Sequence, residues 1–361
     1  WSVYQRAFVY DLSPWGDEAP LDDPDQKLGT DKATYEMMLD RTMKNAKGKV
    51  MTEITGFFQF RKYSTVGGKN RKHEPVATEW ETVYLISPYN GYQNTIASAC
   101  YNQTMHCHFK MKPLKQSRPA PTKKLEKKTY ICILMADYDS MTPLYEFMPD
   151  KWDDSARGDM PFVWGINPNL SEAYPDIFTY LYETASANDH FAADASAAGY
   201  MNPNRVPDES IPLFIKHNQH FYGLCDMTMS PMVLDWSQPT PRTKDAFTHF
   251  SMDGYASILI DFHNPSDEVM RVKSEVWKGM PITELINSVC NFPGPEVGAD
   301  TMNKEIIDHG DGAPGFYCFR IIWTNPSKVI AAIDKLKEKY PQRDYEVLDP
   351  YTFFRLFKEN E

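Results

Sequence analysis

Two carboxylates two residues apart, Asp137 and Asp139 in the string ADYDS, close the most hydrophobic run in the chain, YICILMADYD at 130–139. In an extended strand the side-chain period of two places both acids on one face and turns Tyr138 to the other. An apolar strand that ends in a buried acid needs a partner for that acid. Asp139 also stands where it can cap the helical TPLYEF that follows, a role Asp137 cannot take. Two carboxyls on either side of a glycosidic bond perform hydrolysis, one as general acid and the other as nucleophile or base, with the outcome set by their separation. A further acid lies in KHEPVATEWE (72–81), where Glu74 follows His73 and precedes a proline that biases it toward an extended loop conformation. Glu79 and Trp80 fall inside the next helical stretch, where the helix dipole favours a first-turn glutamate. Asp137, Asp139 and Glu74 are the candidate catalytic carboxylates.

Further polar groups recur at the ends of other apolar runs: Asp11, with Trp15, Asp17 and Glu18 in SPWGDE; Glu53; Asn167 and Asn169 in INPN; Asp194 in AADAS; Asp226; and Asp261 with His263 in DFH. Of these, Asp11, Trp15, Glu53, Asn167, Asp194 and Asp261 are expected to shape a sugar site, amides and acids holding hydroxyls while rings meet apolar sugar faces. Tyr200 joins them. It sits in AAGYMNPN (197–204), between Gly199, which permits a tight turn or close approach, and Pro203, which stiffens the exit. That loop would hold the tyrosine at the site as a stacking surface or hydrogen-bonding tip; otherwise the ring closes the loop onto the core.

Other chemistries have less support. MHCHF places His106 and His108 at a spacing that can ligate zinc, and HGDG offers His309 and Asp311, but spacing supplies no third ligand. No metal or other cofactor is therefore expected. The strained G-x-S-x-G elbow of serine hydrolases is missing, as are glycine-rich phosphate loops.

The elements that would position these groups alternate. Strand-like AFVYDLS, VMTEITGFF, MHCHF, YICILMADYD, PFVWGIN, HFAADAS, CDMTM, SILIDFH, YCFRIIW and YEVLD are mostly followed by segments of helical period, such as TDKATYEMMLDRTMKNA and PSKVIAAIDKLKEKY. Such alternation predicts an α/β fold with a parallel sheet covered on both faces. Eight or more units favour a TIM-like (β/α) barrel, as a single catalytic domain over 1–361, over a doubly wound sheet. The Gly/Pro/Asn-rich stretch 287–315 is expected to be an irregular loop insertion that carries function or forms a lid.

Composition narrows the partners. Forty-nine acidic against 38 basic residues leave a net charge of -11, which repels nucleic acid and anionic membranes, so a neutral partner is expected. No run is apolar enough for a membrane span, and WSVYQRAFVYD lacks the basic region of a signal peptide. The six scattered cysteines form no C-x-x-C pair and read as small buried hydrophobes.

The string AAGYMNPN resembles the signature of the GxGYxYP putative glycoside hydrolase family. FVYDLSPWGDEAPLDDP, KHEPVATEWE, MADYDS, KWDD, WGINPNL and NDHFAADASAAGYMNP are similar to it in the same order. Gly199, Tyr200 and Pro203 match the name literally; Ala197-Ala198-Gly199 replaces its G-x-G, and Asn202 its last aromatic. The resemblance implies a C-terminal, TIM-barrel-like catalytic domain preceded by another domain, in a bacterial, commonly exported protein with a carbohydrate substrate. It assigns no catalytic residue. Two rivals follow from the residues: a non-catalytic glycan-binding domain, in which each acid is tied up by Arg or Lys, and a metal-dependent deacetylase-like hydrolase, in which His106 and His108, or His309 and Asp311, meet Asp137.

Overall fold

The computed structural model describes residues 2–3, 5–12, 14–58, 62, 75–96, 102–230, 234–235, 238–259 and 272–361. Its strands, in chain order, are β1 (Thr52–Thr55), β2 (Gly91–Asn94), β3 (Thr129–Tyr138), β4 (Phe162–Ile166), β5 (Asp189–Ala193) and β6 (Met229–Ser230). They continue with β7 (Leu234–Asp235), β8 (Gly254–Leu259), β9 (Glu275–Trp277), β10 (Met280–Ile286), β11 (Gly315–Ile322) and β12 (Tyr345–Val347). Seven of them form one parallel path, β5-β4-β3-β11-β10-β8-β6, with β7, β9 and β12 attached along it. The end strands β5 and β6 approach within 8 Å between Cα atoms, so the sheet curls into a nearly closed barrel.

The strand sequences explain that curl. Along β3 the even positions Tyr130, Cys132, Leu134 and Ala136 join Val163, Ala192, Met229, Ala256, Leu285 and Cys318, one or more from each barrel strand, in a single inner cluster. Most are small, as a narrow interior requires. The odd positions Ile131, Ile133 and Met135 face outward into a larger cluster with the covering helices, through residues such as Trp152, Phe178, Phe214, Met302 and Leu336. Both faces of β3 are thus buried, which is why its sequence is a continuous apolar run instead of an alternation.

The C-terminal helix Pro350–Asn360 plugs the N-terminal end of the barrel. Asp349 caps it by accepting from the Thr352 amide at 2.9 Å, and proline occupies its first turn. Its Phe353, Phe354 and Leu356 join the inner cluster. Phe354 lies so close to Gly254 that a Cβ there would sit 2.4 Å from the ring.

Several expected elements differ. VMTEITGFF supplies β1, which pairs with β2 in a separate two-stranded parallel sheet and adds no strand to the barrel. AFVYDLS forms no strand among its described residues. MHCHF begins as a short helix, Gln103–His106, and CDMTM contributes only Met229 to a strand. Among the described residues the barrel consequently has seven strands on its path, not eight. The 287–315 stretch is not irregular throughout, since Pro295–Asp308 is a helix that buries Met302 and Ile306. Pro293, Gly294 and Pro295 mark its start and Gly310, Gly312, Pro314 and Gly315 lie beyond its end, while Gly298 lies within it, packed against Phe292 and Ala332. No helix among the described residues is long and apolar enough to cross a membrane.

Candidate functional site

The C-terminal ends of β3 and β5 bring three acids together. One carboxylate oxygen each from Asp137, Asp139 and Asp194 lies within 4.8 Å of the others. Simple alternation does not produce this. Met135 pairs with Trp164 and Tyr138 with Ile166, so three steps on β3 oppose two on β4. The extra residue is a bulge. Asp137 takes it up in the left-handed region at φ 66°, which permits Tyr138 to remain outward against Trp164.

Two neighbouring features lock that strained backbone. The Asp137 amide donates to Asp194 Oδ2 at 2.9 Å, and its carbonyl accepts from Trp323 Nε1 at 3.0 Å. Asp194 Oδ1 accepts from the Ala195 amide at 2.8 Å. Room for the Asp194 carboxylate exists only because β4 has glycine alongside: a Cβ on Gly165 would stand 2.4 Å from Asp194 Oδ2.

The charges are unequal in exposure. Asp194 is fully buried, Asp139 nearly so, and the Asp137 side chain is 26% exposed, which makes it the acid open to solvent. Arg320 reaches Asp137 Oδ1 through Nη2, while its Nη1 donates to Asn287 Oδ1 at 2.6 Å. Burial works against the Arg320 charge, but Asp137, Asp194 and Asp139 outweigh it and hold its proton affinity above the usual value. Burial, reinforced by the Asp137 charge, pushes Asp194 up to about 6 despite Arg320 and the two amides.

The wall beside the acids comes from β2 and the AAGYMNPN loop. Thr95 Oγ1 donates to the Asp139 carbonyl at 2.7 Å, and the Met141 amide donates to the Thr95 carbonyl. Tyr200 exchanges backbone hydrogen bonds of 2.8 and 2.9 Å with Gln93, and its side chain is 4% exposed with Phe57 at its edge. It closes the loop onto the core and offers no open stacking face. Gly199, at φ 91°, accepts the close approach of Tyr92 and donates its amide to Asn167 Oδ1 at 2.8 Å. Asn167 and Asn169 are both buried, and Asn167 Nδ2 and both polar atoms of Asn169 have no hydrogen-bond partner among the described residues.

Other candidates fall elsewhere. Glu53, on β1, accepts from Tyr92 Oη at 3.3 Å and Asn94 Nδ2 at 2.7 Å, next to the residue that holds Asp139. Asp11 is exposed and ion-paired with Lys62 at 3.0 Å. Trp15 is half-buried in the same N-terminal segment. Asp226 is clasped by Arg118 and Lys115, which lower its proton affinity against burial. Glu74 and Asp261 lie outside the described residues, as does His263. The helical turn Pro143–Phe147 that follows is flanked on its N-terminal side by Thr142. The histidine pairs do not converge on Asp137: His106 bonds Asp176 at 2.7 Å, and His309 bonds the Glu305 carbonyl at 2.7 Å while Asp311 pairs with Arg343.

Arg320, Asn287, Trp323 and Gly165 were not among the expected site residues. Arg320 had a legible signal as the one charge inside the apolar YCFRIIW. Trp323, one residue past β11, is 42% exposed, holds a positive φ of 46° and packs on Phe147 at 4.5 Å between centroids. A bulky residue in that region is an outlier held by its surroundings. Here the restraints are the bond to the Asp137 carbonyl and the Phe147 contact.

The fold has known counterparts. A putative hydrolase from Bacteroides thetaiotaomicron VPI-5482 matches at a TM-score of 0.63 with 16% identity, over 89% of this chain and 69% of that one. This likeness shows a shared fold. A putative polysaccharide deacetylase from Mycobacterium smegmatis matches at 0.41 with 12% identity, covering 68% of this chain and 96% of that one. The Bc1960 peptidoglycan N-acetylglucosamine deacetylase matches at 0.34 with 13% identity, covering 63% and 88%. No curated protein matches the sequence. The family model described as the GxGYxYP putative glycoside hydrolase C-terminal domain matches residues 127–358, the segment that holds all seven barrel strands and the three acids. By that match the chain belongs to the GxGYxYP putative glycoside hydrolase family.

Proposed function

We propose that this protein hydrolyses glycosidic bonds at the mouth formed by β3, β5 and β11, with Asp137 as the reacting carboxylate. The observation that carries this reading is the pairing of a solvent-open carboxylate, Asp137, with a buried carboxyl whose proton affinity is raised to about 6, Asp194. Asp194 positions the Asp137 backbone. The separation of the nearest acid oxygens is short, within 4.8 Å. It favours the retaining arrangement, with carboxyls about 5 Å apart, over the inverting one at about 6.5 to 9.5 Å. In that arrangement Asp137 attacks the anomeric carbon, the leaving sugar oxygen takes a proton from a carboxylic acid of the cluster, and water later releases the glycosyl group. Trp323 presents a partly exposed ring beside Asp137 on which the apolar face of a sugar can stack. The test is a panel of natural glycans and aryl glycosides with wild type and Asp137→Asn. The expected result is cleavage that falls roughly a hundredfold to ten-thousandfold in the variant; cleavage unaffected by the substitution would remove Asp137 from the reaction.

A second reading rests on the same three oxygens, whose spacing also suits a divalent cation with oxygen ligands. Arg320 opposes it by supplying positive charge to Asp137 already. Chelator separates the two: activity that survives EDTA belongs to the carboxylates, and activity lost with EDTA and restored by one metal belongs to a cation. The family resemblance also supports an exported protein, which fractionation of the native host checks directly.

A further inference from the structure

Two cysteines face each other inside the barrel. Cys132 on β3 and Cys318 on β11 are direct partners in the parallel register, and the pairing of these strands is unbroken from Thr129 to Ala136. A regular ladder therefore holds the two sulfurs opposite one another. Both side chains point inward, into the cluster that includes Leu134, Ala136 and Leu285, and each residue is 1% exposed. Both are free thiols in this structure. They are in hydrogen-bond contact, and that contact, then burial, pushes the Cys132 thiol well above the ordinary thiol range. Adjacent strands run about 4.7–4.9 Å apart, inside the Cα separation of roughly 4.4–6.8 Å that a disulfide spans. Side chains aimed into a closing barrel also converge on its axis, which brings the sulfurs nearer than the backbones that carry them.

We propose that Cys132 and Cys318 form a disulfide across β3 and β11 when the chain folds in the presence of a disulfide oxidant. One cysteine thiolate attacks a sulfur of a small disulfide such as oxidised glutathione, forming a mixed disulfide and releasing one reduced thiol. The other cysteine thiolate then displaces the second, so the chain gives up two electrons and two protons and the oxidant takes both. The exchange belongs to folding or to a transiently opened barrel, because the folded pair is shielded from reagents and its Cys132 is held as the unreactive thiol. The same shielding keeps reductants from the bond once it has formed. The link ties the strand that ends in Asp137 to the strand that carries Arg320, and it does not depend on any glycosidase activity.

The test is refolding of the whole chain from guanidinium in a buffer of reduced and oxidised glutathione, followed by alkylation under denaturing conditions and peptide mapping. The expected result is a linked peptide pair containing Cys132 and Cys318, about 2 Da lighter than the two reduced peptides together. Native chain held in the same buffer just below its melting temperature should acquire the same link through local opening. The linked chain should melt at a higher temperature than chain refolded in dithiothreitol. Cys318→Ala and Cys132→Ala, each checked for folding by circular dichroism, should abolish both the link and the difference in Tm. Alkylation of both residues in chain that has refolded in the oxidant, a link from either one to another cysteine, or equal melting of linked and reduced chain would overturn it.

Discussion

Asp194 carries its own pH signature. Its folded-state proton affinity, about 6, lies above the unfolded carboxyl near 3.8, so the folded protein binds an extra proton in that window. The stabilisation is complete below the unfolded value and is lost as pH rises through about 6. Denaturant unfolding of wild type and Asp194→Asn from pH 4 to 7 should show the wild-type advantage shrinking by on the order of 2–3 kcal/mol across that range. Parallel curves would contradict the burial argument. The difference between variants is the informative quantity, because Asn also loses one of the two amide acceptors at any pH. Arg320→Lys belongs to the same scale: lysine cannot fork between Asp137 and Asn287. Activity on a cleaved glycoside should drop at least about tenfold with the fold retained, read as kcat/KM beside a melting curve.

At the scale of elements, the site depends on irregularities in otherwise regular strands. The β3 bulge turns Asp137 to the mouth, and Gly165 on β4 leaves the volume that Asp194 occupies. Gly165→Ala should therefore cost roughly 1–3 kcal/mol by overpacking and displace the acid cluster. Gly223→Ala, in the helix Ile211–Leu224 where an added Cβ meets nothing within 4 Å, should be neutral or stabilising by up to about 1 kcal/mol. Chemical denaturation of the pair checks this, and equal effects would mean that the predicted close approach at Gly165 is unimportant. The sequence made the strand and its terminal acids legible, since an apolar run ending in Asp has few other readings. It did not show the bulge, because period two looks unbroken until a neighbouring strand sets the register. Tyr200 illustrates the same limit: its loop was recognisable, but burial against the two-stranded sheet was decided by the pairing with Gln93.

For the whole molecule, closure comes from a partner remote in sequence. The helix Pro350–Asn360 seals the N-terminal end of the barrel, and Phe354 fills the space that Gly254 leaves. Phe354→Ala should cost about 3–5 kcal/mol while leaving the mouth, at the opposite end, able to turn over substrate below the melting temperature. A Tm unchanged by that substitution would show that the plug contributes little. The sequence by itself determined the α/β class, the parallel sheet, the acidic strand end at 137–139 and the family, because these follow from local hydrophobic period and from motif order. Only the tertiary structure decided that seven strands form the barrel path, that β1 and β2 stand apart from it, and that Asp194, Arg320 and Trp323 meet Asp137 from two other strand ends, those of β5 and β11. Each of those outcomes depends on contacts between residues tens to hundreds of positions apart, for which local periodicity carries no record.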